Sequence, residues 1–324
     1  MFRPTYAFLA ALLVCAQLRS SIAQTSGKAP VASAAASAQQ GISLAEKGRC
    51  KEALPILKKA ITQVTDSQVT DKQLKYHAAM AAVRCAMSLD QEETVVQSLV
   101  LLRREFPHDP EVLYVTTHFY SELAARASQE LAAAAPASAQ ARELDAEAFE
   151  SQSKWDEAAG EYKKILEQNP QQPGIHYRLG RIALSQSQSP GSAEEAKEEF
   201  KEELKIDPSN ASAEFMLGEL ARQAGQWDGA IEHFSRASKL DDGFVEAFLA
   251  LGVAFNSAGK YSDAVAPLEN YVKMLPADPA GHYQLALAYA RTGRKEAAAR
   301  ESELQRETAE KAQSQAAPNP SAAH

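Results

Sequence analysis

LGELARQAGQWDGAIEHFSRASKLD (residues 217–241) and LGVAFNSAGKYSDAVAPLENYVKMLP (residues 251–276) are two copies of one pattern, offset by 34 residues. Each copy opens on Leu-Gly, has a second glycine seven residues after the first, and has an alanine five residues beyond that. Apolar residues recur at the spacing of amphipathic helices. A fixed period of this length is typical of a stack of repeated units rather than of one compact fold.

The same register extends over five units, residues 139–172, 173–210, 211–244, 245–278 and 279–310. The second unit is four residues longer because of an insertion within residues 185–192. Numbered from the first residue of each unit, position 8 is always small, as Ala146, Gly180, Gly218, Gly252 and Ala286. Allowing for the insertion, position 20 is always alanine, as Ala158, Ala196, Ala230, Ala264 and Ala298. Prolines at position 32 end the second helix, because proline has no N–H to donate.

Two short helices with one apolar stripe each cannot bury those stripes alone. We therefore predict antiparallel helix pairs, each pair covering the next, with small residues at positions 8 and 20 where the two helices approach closely. Large apolar residues are predicted to fill the interior at position 7, as Leu179, Leu217, Leu251 and Leu285. At position 24 they are Tyr162, Phe200, Phe234 and Leu268.

This pattern resembles the tetratricopeptide repeat (TPR), and the resemblance covers residues 139 to about 306, roughly half of the chain. The usual Trp of the family at position 4 is replaced by Arg142, His176, Glu214, Phe248 and His282. The resemblance implies an all-α fold, a right-handed superhelical solenoid of antiparallel helix pairs. Counting weaker upstream matches, we expect about eight units.

The upstream region, residues 34–138, is predicted to hold degenerate helical repeats. GRCKEALPILKKA (residues 48–60) fits a second helix, with Ala53 at position 20 and Leu57 at position 24. Residues 76–109 fit a whole unit in which Val95 replaces the alanine at position 20. Residues 110–136 are interpreted as two helices of a shortened unit.

The two ends of the chain have distinct compositions. Residues 1–23 have the pattern of a secretory signal peptide, with Arg3, the apolar run YAFLAALLVCA (residues 6–16), and Ser21 and Ala23 before the predicted cleavage site. The alternative is a lipoprotein signal that uses Cys15. Residues 24–33 are predicted to be a flexible leader and residues 311–324 a disordered tail. No other segment reaches the ~18 apolar residues that a membrane helix needs.

The net charge and the predicted export limit the kinds of partner that we expect. Removal of residues 1–23 takes away two arginines and no acid, so the net charge changes from −8 to −10. Such a chain has no general attraction for phosphate backbones, and we expect no nucleic acid partner. We expect an exported, most simply periplasmic protein without a transmembrane segment after processing. A membrane-anchored lipoprotein and a secreted protein are the alternatives.

Two cysteines, Cys50 and Cys85, remain after the predicted cleavage. Cys50 begins a second helix and Cys85 lies late in the first helix of the next unit. Because adjacent helices are antiparallel, a disulfide between them is geometrically plausible in an oxidising compartment. The alternative is two buried thiols that act as small apolar residues. No histidine lies at ligand spacing from either cysteine, so we predict no metal site.

The resemblance to TPR proteins implies a binding groove on the inner face, formed by positions 2, 5, 9, 12 and 13 of the first helices. Its apolar floor and Arg/Asn edge suit a peptide with a few apolar anchors and a carboxylate. The apolar floor could equally be extra core, and Glu147, Arg181 and Glu219, which alternate in sign, could pair with one another. The predicted groove residues are Tyr177, Arg181, Phe215, Glu219, Arg222, Leu249, Asn256, Tyr283 and Arg291.

No motif in the sequence carries catalysis: there is no HExxH, G-x-S-x-G, Walker loop or CxxC. We therefore predict a non-catalytic scaffold with no cofactor, which binds a protein or peptide partner in a cell-envelope assembly. The alternatives are an accessory or self-assembling structural subunit, and an enzyme with an unrecognised site. The oligomeric state does not follow from the sequence.

Overall fold

The structure is a computed structural model that describes residues 28–66, 71–186 and 191–316. Those residues form fifteen α-helices and no strand. The chain divides into two compact units, of which the first ends at Ala127 and the second begins at Ser128. The predicted all-α repeat fold is confirmed, whereas the predicted signal peptide, residues 1–23, lies outside the described residues.

The first compact unit is built on a core of aliphatic side chains. In it α1 packs on α2 and α3, α2 on α3, and α3 on α4. Leu54, Leu57 and Leu99 are fully buried there, and Val112 and Phe119 of α5 join the same cluster. The helices are α1 (Lys28–Glu46), α2 (Cys50–Asp66), α3 (Lys72–Ser88), α4 (Glu92–Glu105) and α5 (Pro110–Ala134), the last of which runs on into the second unit.

Three sequence predictions about helix limits are wrong. Residues 110–134 form one helix instead of two, because no glycine or proline interrupts the chain after Pro110 and its second half is rich in alanine. Helix α1 begins at Lys28, inside the predicted flexible leader, because Pro30 falls in the first turn, where proline is tolerated, and alanines follow. Helix α15 continues to Ala316, inside the predicted tail, since no helix breaker precedes Pro318.

The second compact unit contains ten consecutive helices, each of which packs against the next. Its first helices begin at or within two residues of the predicted starts of the five repeats. They are α6 (Ala139–Ser151), α8 (Ile175–Ser185), α10 (Ala211–Gln223), α12 (Val245–Ser257) and α14 (Pro279–Arg291). The second helices are α7 (Trp155–Gln168), α9 (Ser192–Ile206), α11 (Trp227–Leu240), α13 (Tyr261–Met274) and α15 (Lys295–Ala316).

Positions 8 and 24 are the contact point within each pair. A Cβ added to Gly218 would lie 2.6 Å from the ring of Phe234, and one added to Gly180 would lie 2.6 Å from the ring of Phe200. The predicted core side chains at position 24 are fully buried, as are the alanines at position 20 of the first four of these units. The same contact occurs in the first compact unit, where a Cβ on Gly41 would lie 2.7 Å from Leu57.

The turn between the two helices of a pair has a left-handed residue at position 15. In that conformation an L side chain is crowded by its own backbone, so glycine is favoured. Two units use another residue, Asp90 with φ 55° and Ser153 with φ 58°. The other units have Gly48, Gly191, Gly225, Gly259 and Gly293.

No helix in the described part of the chain combines the length and the apolar character needed to cross a membrane.

Candidate partner-binding face

The candidate site is the set of side chains at positions 5, 9, 12 and 13 of α8, α10, α12 and α14, which we call the first-helix face. Its floor is position 5. Tyr177, Phe215 and Leu249 are only partly buried there, whereas Tyr283 is 58% exposed. None of the four is fully enclosed, although positions 4 and 7 on either side carry the contacts that hold each pair together.

Two of the floor residues, Tyr177 and Phe215, pack against core rings and are still partly exposed. The ring of Phe215 lies 5.4 Å from that of Phe234 and 4.9 Å from that of Phe244, measured between centroids. The ring of Tyr177 lies 5.7 Å from that of Phe200. These two side chains therefore contribute to the core, as one alternative for the floor had it, and each is still partly accessible to solvent.

The charges on the face do not form the ladder considered from the sequence. Glu219 accepts from Arg222 on its own helix, with an Oε2 to Nη2 distance of 2.7 Å. Glu147 accepts from Arg178 at 2.7 Å instead of from Arg181. Arg181 is exposed and makes no ion pair with a described carboxylate. The ladder fails because position 6, not position 9, of α8 lies opposite Glu147.

Asn256 does not form an exposed edge of the face, because its side chain is 6% exposed. Its Nδ2 donates to the backbone oxygen and to Oε1 of Gln284, both at 3.0 Å, so it ties α12 to α14. Arg291 remains at the surface, where its guanidinium lies 5.6 Å from the ring centroid of Tyr261. That cation–π contact orients the charge without neutralising it.

Positions 4 and 23 form a polar pair that the sequence analysis did not find. In the first regular unit Arg142 lies 2.9 Å from Glu161, and in the second His176 lies 2.6 Å from Glu199. In the third unit the two residue types are exchanged, with His233 and Glu214 2.7 Å apart. His282 and Glu301 lie 2.6 Å apart. The signal was the complementary residue types at these two positions, of which position 4 is the one where the family usually has Trp.

The carboxylate of Glu161 is held in its ionised form. Lys164 donates to it at 2.6 Å and Arg142 at 2.9 Å. The hydrogen bond from Lys164, with that from Arg142, holds the pKa of this carboxyl below its usual range, although burial acts in the opposite direction. Elsewhere in the same unit, burial and then the hydrogen bond to Glu150 raise the pKa of Tyr162.

Glu203, at the end of α9, is a second residue that sequence reasoning missed. Its side chain is fully buried. It accepts from the backbone N–H of Gly174 at 2.7 Å, from that of Tyr177 at 3.2 Å and from Nδ2 of Asn210 at 3.2 Å. The signal was the absence of a capping side chain before α8, whose N-cap is Gly174. The carboxylate therefore satisfies the free N–H groups of α8 and fixes the first turn, from which Tyr177 projects.

The two cysteines lie where the helix register placed them. Cys50, the first residue of α2, and Cys85, in the last turn of α3, form a disulfide with a Cα–Cα distance of 4.9 Å. Among the described residues, no group of three or more His, Cys, Asp or Glu side chains is arranged to hold a metal ion.

The family model of the tetratricopeptide repeat matches residues 121–173, 146–211, 177–244, 215–281 and 249–312. These overlapping matches extend over more than half of the chain, which therefore belongs to the tetratricopeptide repeat family. They begin at residue 121 within α5, upstream of the first unit that the sequence analysis placed in the regular array. Proteins of this family are typically interaction scaffolds without catalysis, which supports a protein-binding role for this chain.

Solved structures to which the chain is similar include MamA, which is 23% identical over 52% of this chain and 96% of its own length, with a TM-score of 0.47. MamA from Desulfovibrio magneticus RS-1 is 17% identical over 53% of this chain and 96% of its own, with a TM-score of 0.47. YrrB, described as a TPR protein with an unusual peptide-binding site, is 20% identical over 56% of this chain and 92% of its own, with a TM-score of 0.48. No curated protein matches the sequence.

Proposed function

We propose that the protein binds a peptide segment of a protein partner on the first-helix face and that it does so in the cell envelope, after export. The observation that carries the binding site is the floor at position 5. Four successive first helices present an aromatic or aliphatic side chain there that is left partly or largely accessible to solvent. A row of this kind suits the apolar anchors of a bound peptide, because anchors that become buried on binding supply most of the binding free energy.

The charges on the face indicate an acidic group on the ligand. Arg181 and Arg291 are both exposed, and neither makes an ion pair with a described carboxylate, while Glu219 is already occupied by Arg222. A peptide with apolar side chains on Tyr283 and Leu249 and a carboxylate near Arg291 would use both features. Arg291 is suited to that contact because the Tyr261 ring restricts its motion.

Export is supported by two features of the chain. Residues 1–23 have the charge, apolar run and small residues of a signal peptide. The disulfide between Cys50 and Cys85 belongs to an oxidising compartment. Export is tested by N-terminal sequencing of the protein recovered from a periplasmic extract. A chain that begins at Gln24 agrees with the proposal, and an unprocessed chain in the cytoplasm contradicts it.

Partner binding is tested with Tyr283→Ser combined with Arg181→Glu. Both side chains are exposed, so the doubly substituted protein is expected to fold. The matched control is Leu240→Ser, since Leu240 is 43% exposed and lies at the end of a second helix. In proximity labelling in the native envelope, partners that the wild type labels should no longer be labelled by the doubly substituted protein. The control should still label them. Identical labelling by all three proteins would remove the first-helix face from consideration.

A further inference from the structure

The first compact unit contains an open cavity along α2, with a volume of about 690 Å³. That volume lies within the range of sites for small ligands and for the side chains of bound peptides. The cavity is lined by one side of α2 and by the turn between α3 and α4. It belongs to a different compact unit from the first-helix face and does not depend on the function proposed for that face.

Three lysines line the cavity, and none of its described lining residues is a carboxylate. Lys51, Lys58 and Lys59 are exposed, and none of them pairs with a carboxylate of the described residues. Glu52, the nearest acid in the sequence, is turned to Arg49, whose Nε donates to it at 2.8 Å. In a chain with a net charge of −8, this cavity is a local concentration of unneutralised positive charge.

An apolar floor lies between the lysines. Pro55, which is exposed, contributes it from α2, and Leu89, which is partly buried, contributes it from the turn after α3. Leu54 also lines the cavity, but it is fully buried in the core and offers no surface to a ligand. A ligand for this surface therefore carries both an apolar group and anionic groups.

The disulfide ties the two walls of the cavity together. Cys50 directly precedes Lys51 and lies one helical turn before Leu54, while Cys85 lies one turn before Leu89. The bond holds the start of α2 against the end of α3, so the lysines and the apolar floor keep their relative positions without a ligand. A site that is formed in advance loses less entropy when it binds.

We propose that this cavity binds an acidic peptide segment of a partner protein, with carboxylates on Lys51, Lys58 and Lys59 and an apolar side chain on Pro55 and Leu89. From Lys51 to Lys59 the helix rises about 12 Å. An extended chain covers that distance with about four residues, and its carboxylates can reach both ends. A single phosphate ion would reach only one end of the row, and a flat layer of lipid headgroups would not fill the recess beside Leu89.

Binding is tested by fluorescence anisotropy with a labelled peptide of sequence EELELEE and the full chain in its oxidised form. Lys58→Glu with Lys59→Glu should weaken the peptide Kd about tenfold or more, because attraction is replaced by repulsion. The matched control is Lys239→Glu with Lys273→Glu, two exposed lysines of the second compact unit with no ion pair to a described carboxylate. It changes the net charge equally and should leave Kd within about twofold. Equal weakening in both doubly substituted proteins would overturn the proposal.

Three further measurements separate the peptide from other ligands. Replacing both leucines of the peptide by serine should weaken binding several-fold, because the apolar floor is then unused. Any binding of inorganic phosphate at millimolar concentration should be the same in the wild type and in the protein with Lys58→Glu and Lys59→Glu. The same holds for binding to vesicles of phosphatidylcholine with phosphatidylserine. If the wild type binds phosphate or vesicles through these lysines and does not bind EELELEE, the acidic peptide is the wrong ligand. Circular dichroism melting of both doubly substituted proteins checks that they remain folded.

Discussion

At Gly218 the backbone of α10 comes so close to Phe234 of α11 that no side chain fits between them. A Cβ there would lie 2.6 Å from two ring atoms. Gly229, on α11, lies in a different setting, where a Cβ would be 3.6 Å from that of Ala221, an ordinary contact. Both glycines lie in helices, but only Gly218 lies where there is no room for a side chain.

We expect Gly218→Ala to lower the free energy of unfolding relative to Gly229→Ala by about 2 kcal/mol. The first substitution forces the rings and helices apart, whereas the second gains helix propensity without a clash. Urea denaturation of the two variants measures the difference. Equal stability of the two would mean that positions 8 and 24 are not in close contact.

Glu161 makes a contribution to the stability of the folded protein that depends on pH. Its folded-state pKa is lowered, so its stabilisation is present above the unfolded pKa of about 4.3 and is lost as the pH falls through the folded value. We expect Glu161→Gln to be less stable than the wild type by about 1–2 kcal/mol at neutral pH. The two proteins should converge in acid.

Urea unfolding at a series of pH values from neutral to acid checks this expectation. Glu157→Gln is the control, because Glu157 is exposed on the same helix and makes no ion pair with a described residue. It should follow the wild type at every pH. If the difference between Glu161→Gln and the wild type persisted at low pH, the ion pairs with Lys164 and Arg142 would not be its origin.

At the scale of elements, one carboxylate organises three helices. Glu203, at the end of α9, caps the first turn of α8 and holds Asn210, which is itself the N-cap of α10 through its contact with the N–H of Ala213 at 2.9 Å. This contact arises because α9 packs on both α8 and α10. It determines the direction in which α8 leaves the loop, and hence the position of Tyr177 on the first-helix face.

Substitution of Glu203 by Ala should lower the free energy of unfolding by about 2–3 kcal/mol, since it leaves buried N–H groups without an acceptor. Glu203→Gln keeps one acceptor oxygen and should lose less. Hydrogen exchange of residues 174–180 is the direct measurement, because the amides of Gly174 and Tyr177 donate to this carboxylate. Unchanged protection there in Glu203→Ala would contradict the capping role.

Helix α5 departs from the pattern of two helices in each repeat. From the sequence, residues 110–136 are predicted to form two helices of a shortened unit. The chain instead forms one helix from Pro110 to Ala134. Local propensity decided the outcome, since an alanine-rich stretch without glycine or proline has no reason to turn.

At the scale of the whole molecule, the described chain contains one covalent cross-link besides its backbone, the disulfide, and it lies in the first compact unit. Its two cysteines are 35 residues apart. For a loop of that length, removal of the bond should destabilise the folded state by about 3–4 kcal/mol.

We expect Cys50→Ser with Cys85→Ser to raise hydrogen exchange in α2 and α3, with little change in α10 to α15. Contacts in a repeat array are local, so a loss in one pair is not carried to distant pairs. Hydrogen exchange with peptide-level resolution measures both regions in one experiment. Uniformly increased exchange along the entire chain would contradict the local action of the bond.

The 34-residue spacing was sufficient to predict the all-α repeat fold, the starts of the first helices of the regular pairs to within two residues, and the buried rows at positions 7, 8, 20 and 24. These features follow from the spacing because helix formation and the packing of small residues depend on residues that are close together in the sequence and recur in every unit. The spacing could not predict which surface residues remain free. Glu147 pairs with Arg178, Asn256 is tied to Gln284, and Glu203 caps α8, because those choices depend on side chains brought together by stacking. The period thus determined the scaffold, and only the tertiary contacts decided that Tyr283, Arg181 and Arg291 are left available at the surface.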